Sequence, residues 1–167
     1  MMQSKILEDL YYDGLKEIYY AERKILQALP TMSAAAKSQE LSAAFQKHYD
    51  QTQVHVDRLD QIFELSGKPA KGKTCPAIDA LIEEGKQIIA EYKDSSALDL
   101  GLAAGAQAVE HHEMARYGAL KKLAMLLGLT DAADLLDATL QEEIQTDADL
   151  DALSETLGSA KTKKSSK

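Results

Sequence analysis

A chain of 167 residues with 27 acidic and 19 basic side chains carries a formal net charge of −8. The last nine residues, 159–167, hold four lysines and no acid, so the body before them stands at −12 (15 basic against 27 acidic residues). Such a body repels nucleic acid and anionic membranes and leaves room for bound cations. A single cysteine, Cys75, excludes an internal disulfide, and no run of about 18 apolar residues is present to span a bilayer. The opening MMQSKILEDLYYDG lacks the uninterrupted apolar run of a signal peptide, so a cytoplasmic location is expected. The length suits one domain with a substantial core. Abundant Ala, Leu, Glu, Lys and Gln, with no Trp, point to an all-α fold.

The pattern predicts a first helix over about residues 5–36. Tyr11, Leu15, Ile18, Glu22, Ile25 or Leu26, and Leu29 recur at helical spacing. Glu22 is the one charged member of that stripe, and Pro30 is placed to kink the helix or end it early. A turn at Ser38–Gln39 leads into a second helix over about 39–65, whose stripe is Leu41, Phe45, His48, Thr52, His55, Leu59 and Ile62. Both histidines lie on this inward face. SGKPAKGKTCP (66–76) reads as an exposed loop. A shorter helix is expected over about 77–92, with Ile78, Leu81, Ile82, Ile88 and Ile89 on its apolar side. Residues 94–96 break that helix and cap the next one, which runs to about 127, where Gly128 can stop it. A last helix is expected over about 131–157, striped by Leu136, Leu140, Glu143, Asp147 and Leu150 and ended by Gly158. No strand pattern occurs. Two short-loop hairpins and one long crossover with an extra short helix describe a ferritin-like four-helix bundle. It occupies residues 1–158, followed by a disordered Lys-rich tail over 159–167.

Polar residues interrupt every long stripe near its middle. Glu110 and Glu113, three apart within VEHHEMARY (109–117), share a helix face with Ala103, Ala106, Tyr117, Leu120 and Ala124. With the first turn near residue 38, Glu22 faces a position between Thr52 and His55. With the second turn near 129–130, Glu113 faces a position near 146, beside Glu143 and Asp147. His48 lies nearer the first loop and is the weaker candidate. Glu22, Glu110, Glu113, Glu143 and Asp147 would place about five negative charges in one interior pocket, and buried charge requires a partner. No Lys or Arg lies on the four stripes, so one imidazole faces five acids. Two di- or trivalent cations would nearly balance them, and oxygen-rich ligation with an imidazole suits iron or manganese.

The bland alternatives differ between residues. A core-facing histidine is commonly a satisfied core group, and a lone inward Glu can be capped by a hydroxyl or a water. His111 and His112 point about 130° away from the Glu110/Glu113 midline, toward the surface. His112-Glu113 begins an H-E-x-x-H zinc motif, but Arg116 occupies its fifth position. Tyr117 reads first as a packed core tyrosine and second as a donor to a ligand. Cys75 reads as an ordinary loop thiol.

Several stretches together resemble the YciE/YciF family of bacterial ferritin-like stress proteins. They are YYAERKILQALPTM (19–32), HYDQT (48–52) with HVDRLDQIFE (55–64), KTCPAIDALIEEG (73–85), AAGAQAVEHHEMARYGAL (103–120) and LLDATLQEEIQTDADL (135–150). The resemblance implies a ferritin-like bundle, a homodimer and a dinuclear metal centre. Its ligand positions fall on Glu22, His55, Glu110, Glu113, Glu143 and Asp147. The pattern departs from the wider di-iron arrangement of one Glu-x-x-His per half-site, since Thr52 stands three before His55 and Asp147 stands where a histidine is common. The expected function is binding of two iron ions per chain, with Glu110 and Glu143 bridging. Fe(II) would be oxidised by oxygen or peroxide, or a manganese version would dismute peroxide. A rival is a non-catalytic structural or interaction dimer with a vestigial site. A DNA-protecting shell that uses the Lys-rich tail is opposed by the acidic body.

Overall fold

The computed structural model describes residues 6–162, and the side chains of residues 6–158. Five helices follow in order: α1 (Leu7–Ala35), α2 (Gln39–Leu65), α3 (Pro76–Tyr92), α4 (Leu98–Leu126) and α5 (Thr130–Thr162). α1 packs on α2 and α4 on α5 as antiparallel hairpins. α2 also meets α5, and α1 meets α4, which closes the bundle. α3 belongs to the crossover and lies against α4 and α1. This is the expected ferritin-like arrangement. No helix among the described residues is long and apolar enough to cross a membrane.

Local chemistry explains the boundaries. Ser38 caps α2 by accepting the Leu41 N–H at 3.3 Å. The same turn is tied to the second hairpin by buried Asp99, whose carboxylate accepts the Lys37 N–H at 2.8 Å and the Ser38 N–H at 3.0 Å. Pro30 lies inside α1, which continues to Ala35. α3 starts one residue before the expected Ala77, because Pro76 brings a helical φ to the first position and has no N–H to satisfy. The cap expected from residues 94–96 is displaced to Ala97, which has no capping side chain; Ser95 Oγ accepts the Ala97 N–H at 3.0 Å instead. Gly128, at φ +73°, ends α4 in the left-handed conformation that glycine favours.

α5 does not stop at Gly158 but runs to Thr162. Gly158 has no positive φ, and a glycine within an already nucleated helix costs only about 1 kcal/mol relative to alanine. The expected helix start at Lys5 and the tail from residue 163 onward lie outside the described residues.

The core is built from the predicted stripes. Leu15, Ile18, Ile25 and Leu29 of α1 and Leu41, Phe45, Leu59 and Ile62 of α2 are buried. Leu102, Ala103, Ala106, Leu120 and Ala124 of α4 face them, with Leu136 and Leu150 of α5. α3 is less committed: among its expected apolar residues only Ile78 is fully buried.

Candidate metal centre

Midway along the bundle the apolar layers give way to acids. Glu22, Glu110, Glu113 and Glu143 are each at most 1% exposed, as is His55, and His48 is 4% exposed. They come from all four long helices. Two sets of ligand-type atoms converge, each with every atom within 4.8 Å of the others: His48, Glu110, Glu113 and Glu143 in one, and Glu22, His55 and Glu143 in the other. Glu143 belongs to both. The His48 and His55 ring centroids are 6.4 Å apart.

The cluster does not satisfy itself. Among the described residues, eleven buried side-chain N and O atoms lack a hydrogen-bond partner, and nine of them belong to these six residues. Neither oxygen of Glu113 or Glu143 is bonded, and neither nitrogen of His48. His48 Nε2 lies 3.1 Å from Glu110 Oε1, and His55 Nδ1 lies 3.0 Å from Glu143 Oε1 and 3.5 Å from Glu22 Oε1. None of these approaches is aligned as a hydrogen bond. An unsatisfied buried polar group costs about 1–3 kcal/mol, more if charged. So many in one place fit donors aimed at a shared ion rather than at one another. The donor set, four carboxylates and two imidazoles, suits a divalent or trivalent first-row cation.

His55 is held from behind. Its Nε2 donates to Glu142 Oε2 at 2.9 Å, and Glu142 is gripped by Arg58 through Nη1 at 2.7 Å and Nη2 at 2.8 Å. With Nε2–H committed to Glu142, Nδ1 is the atom turned into the cluster, the usual way a carboxylate orients a ligating histidine. Tyr117, fully buried, donates its hydroxyl to Glu22 Oε1. Of its two sequence readings, the donor reading therefore holds together with core packing.

Electrostatics follow from burial and proximity. Burial, then the neighbouring Glu143, push Glu110 and Glu113 well above the ordinary carboxylate range. Burial lowers His55, but Glu143 and Glu22 outweigh it and raise it to about 10. Burial raises Glu143, but contact with His55 outweighs it and leaves it low. Burial also lowers His48, leaving its imidazole neutral. Without a cation the cluster thus favours protons on His55, Glu110 and Glu113 and holds Glu143 toward its ionised form. Those protons must leave for a metal to bind.

Five of the six residues expected from the sequence meet here. Asp147 does not: it is 20% exposed on its side chain, accepts from Gln107 Nε2 at 3.3 Å, and lies 3.1 Å from His111 Nε2. The buried face of α5 runs Leu136, Thr139, Glu143, Thr146, Leu150. From Glu143 it steps three residues to Thr146, so Asp147 is rotated to the rim. His48, the weaker candidate, takes the vacant place as a full member. Glu142 and Arg58 were missed because neither is on a buried stripe; the one hint is that Arg58 lies three residues after His55. Arg58 adds a cation at the rim, but Glu142 occupies it. His112 is turned toward Cys75, which is buried at the start of α3 with Sγ 3.8 Å from His112 Nε2.

Comparison with known proteins agrees with this fold. Residues 6–163 match the family described as a domain of unknown function, DUF892. The chain is 39% identical over 150 residues to Protein YciF of Escherichia coli (strain K12), covering 89% of this chain and 90% of that protein. The solved structure of the E. coli stress protein YciF superimposes with a TM-score of 0.88 at 37% identity, covering 93% of this chain and 99% of that one. YcfI of Rhodopseudomonas palustris, for which a structural role has been suggested, gives a TM-score of 0.87 at 41% identity, covering 90% and 96%. A Xanthomonas campestris protein at 19% identity and TM-score 0.73 shares the fold. With a match over nearly its whole length and the same helical bundle, the chain belongs to the DUF892 family, that of the YciE/YciF stress proteins.

Proposed function

We propose that this chain is a stress protein that binds two iron ions between its helices and oxidises Fe(II) with oxygen or peroxide. The observation that carries this reading is the set of nine unsatisfied N and O atoms on six buried residues. Side chains alone leave them costly, and two cations would satisfy both polarity and charge. Bound there, iron would supply the Fe(II)/Fe(III) couple, with oxygen or peroxide as electron acceptor. His48, Glu110 and Glu113 would hold one ion, Glu22 and His55 the other, and Glu143 would span both. To bind an ion, Glu110 and Glu113 would have to release any carboxyl proton and His55 its Nδ1 proton, while the His55 Nε2–H stays donated to Glu142. Tyr117 fixes the orientation of Glu22.

The test is anaerobic titration with Fe(II), then admission of oxygen. Uptake of about two ions per chain, set by the two groups around Glu143, with oxidation faster than in buffer, is the expected result. No uptake ends the reading. A manganese-loaded form dismuting peroxide is the close variant, distinguished by peroxide turnover after Mn(II) loading.

A second reading, a structural dimer with a vestigial site, is favoured by Thr52. This residue stands where a further carboxylate is common, and it spends its hydroxyl on the His48 carbonyl at 2.7 Å. Leu10, Leu65, Met125 and Leu126 are exposed and support the homodimer that either reading includes, which light scattering would test. Replacing Glu110 and Glu143 by Gln separates the readings: stress protection retained without metal uptake selects the structural one.

A further inference from the structure

A cavity of about 410 Å³ opens among all five helices at the His48 end of the centre. Water takes about 30 Å³ per molecule in the liquid, so the space exceeds what an ion and its waters fill. It falls within the roughly 300–1,000 Å³ typical of small-molecule sites. Its walls include Ile25, Leu29, Phe45, Ile82, Ile89 and Leu150, and buried His48 and Glu110 form its inner end. Small residues create the room. Gly85 is buried in the middle of α3, yet a Cβ built on it would meet no atom within 4 Å, so a side chain there would project into the cavity.

The chemistry of the lining selects a class of occupant. The lysines on the lining have acidic neighbours: Lys24 is 3.8 Å from Asp79, Lys47 is 3.0 Å from Asp149, and Lys86 is 3.4 Å from Glu83. Among the described residues, no lysine of the lining is left without an acidic neighbour to draw an anionic head group. Four buried polar atoms on the lining residues have no partner: Gln51 Oε1, Nδ1 and Nε2 of His48, and Glu110 Oε2. Gln51 Oε1 is an acceptor that asks for a donor. We infer that the cavity binds a neutral amphiphile, an aliphatic alcohol or primary amide, with its apolar body along Ile25, Phe45 and Ile82 and its donor head among Gln51, His48 and Glu110. Occupation of the cavity goes beyond the metal reading and does not need it; only the placing of the head beside a bound ion rests on that reading.

The experiment titrates the full chain calorimetrically with decanol and, separately, with decanoate, and maps the isoleucine methyls by NMR. Saturable uptake of decanol is expected, with decanoate weaker by at least about tenfold, or 1.4 kcal/mol. Shifts are expected at Ile25, Ile82 and Ile89 and not at Ile62, which lies in the core away from the cavity. Gly85→Leu fills the space with a good helix former, so it should keep the helical signal and the metal stoichiometry while losing decanol affinity by about tenfold or more. Absence of saturable decanol binding by folded wild type, shifts at methyls elsewhere, or undiminished affinity in folded Gly85→Leu would overturn the inference. If Gly85→Leu does not fold, the wild-type titration and methyl map decide alone. Metal uptake without decanol binding removes the cavity proposal only; decanol binding without metal uptake removes the metal reading only.

Discussion

His48 and His55 lie seven residues apart on the same face of α2, yet their surroundings differ. His55 is clamped: Glu142 and Arg58 hold one nitrogen from behind, and Glu22, itself bonded by Tyr117, and Glu143 face the other. His48 has no hydrogen bond at either nitrogen and borders an open cavity. One half of the centre is preorganised and the other has room to adapt. The difference teaches that a ligand's burial says little about its rigidity; what stands behind the imidazole decides that.

The sharpest break of this comparison is Glu143→Gln, because among the described residues Glu143 alone belongs to both halves. Loss of both ions is expected by elemental analysis after Mn(II) or Fe(II) loading; retention of one ion would show that the halves are independent.

Next in size is Glu142→Ala. It frees the His55 ring and should weaken metal binding in that half by about 10–100-fold, with little change in the His48 half. Equal weakening of both halves in a two-site titration would dissolve the distinction between them.

The pH dependence of the metal-free protein is third. His55, at about 10 when folded against 6.5 unfolded, contributes stability that is fully present below 6.5 and is lost as pH rises toward 10. Glu110 and Glu113, raised on folding, act with the same sign, losing stability as pH rises above the ordinary 4.5. The lowered His48 opposes this only below 6.5. The melting temperature without metal should therefore fall as pH rises from about 7 to 9, and saturating metal should reduce the slope. A rising melting temperature in the metal-free protein would contradict the assigned protonation.

The smallest effect is expected from Asp147→Asn. An exposed histidine and a glutamine share that carboxylate, so stability and metal stoichiometry should stay near wild type. Loss of one ion would return Asp147 to the ligand set.

Much of this was legible beforehand. The α2 stripe from Leu41 to Ile62 is buried residue for residue, because a helix repeats every 3.6 residues and seven well-spaced positions pin its inward face. Glu22, Glu110, Glu113 and Glu143 were legible as intrusions on such stripes. Asp147 was not, since positions three and four residues after Glu143 both lie near the stripe, and only the contact of α5 with α2 and α4 selects Thr146. Glu142 and Arg58 were not, since their bond joins residues 84 apart in sequence and neither belongs to a stripe.

Periodicity along a single chain thus determined the five helices, the ferritin-like bundle and an interior with more acid than its own bases can neutralise. Tertiary packing decided the rest: which turn of α5 faces inward, that His48 joins the cluster while Asp147 stays at the rim, that Arg58 answers Glu142, and that a cavity remains beside the centre. These depend on the rotation and offset of one helix against another, quantities that local spacing does not contain because they are set by side chains meeting from distant parts of the chain.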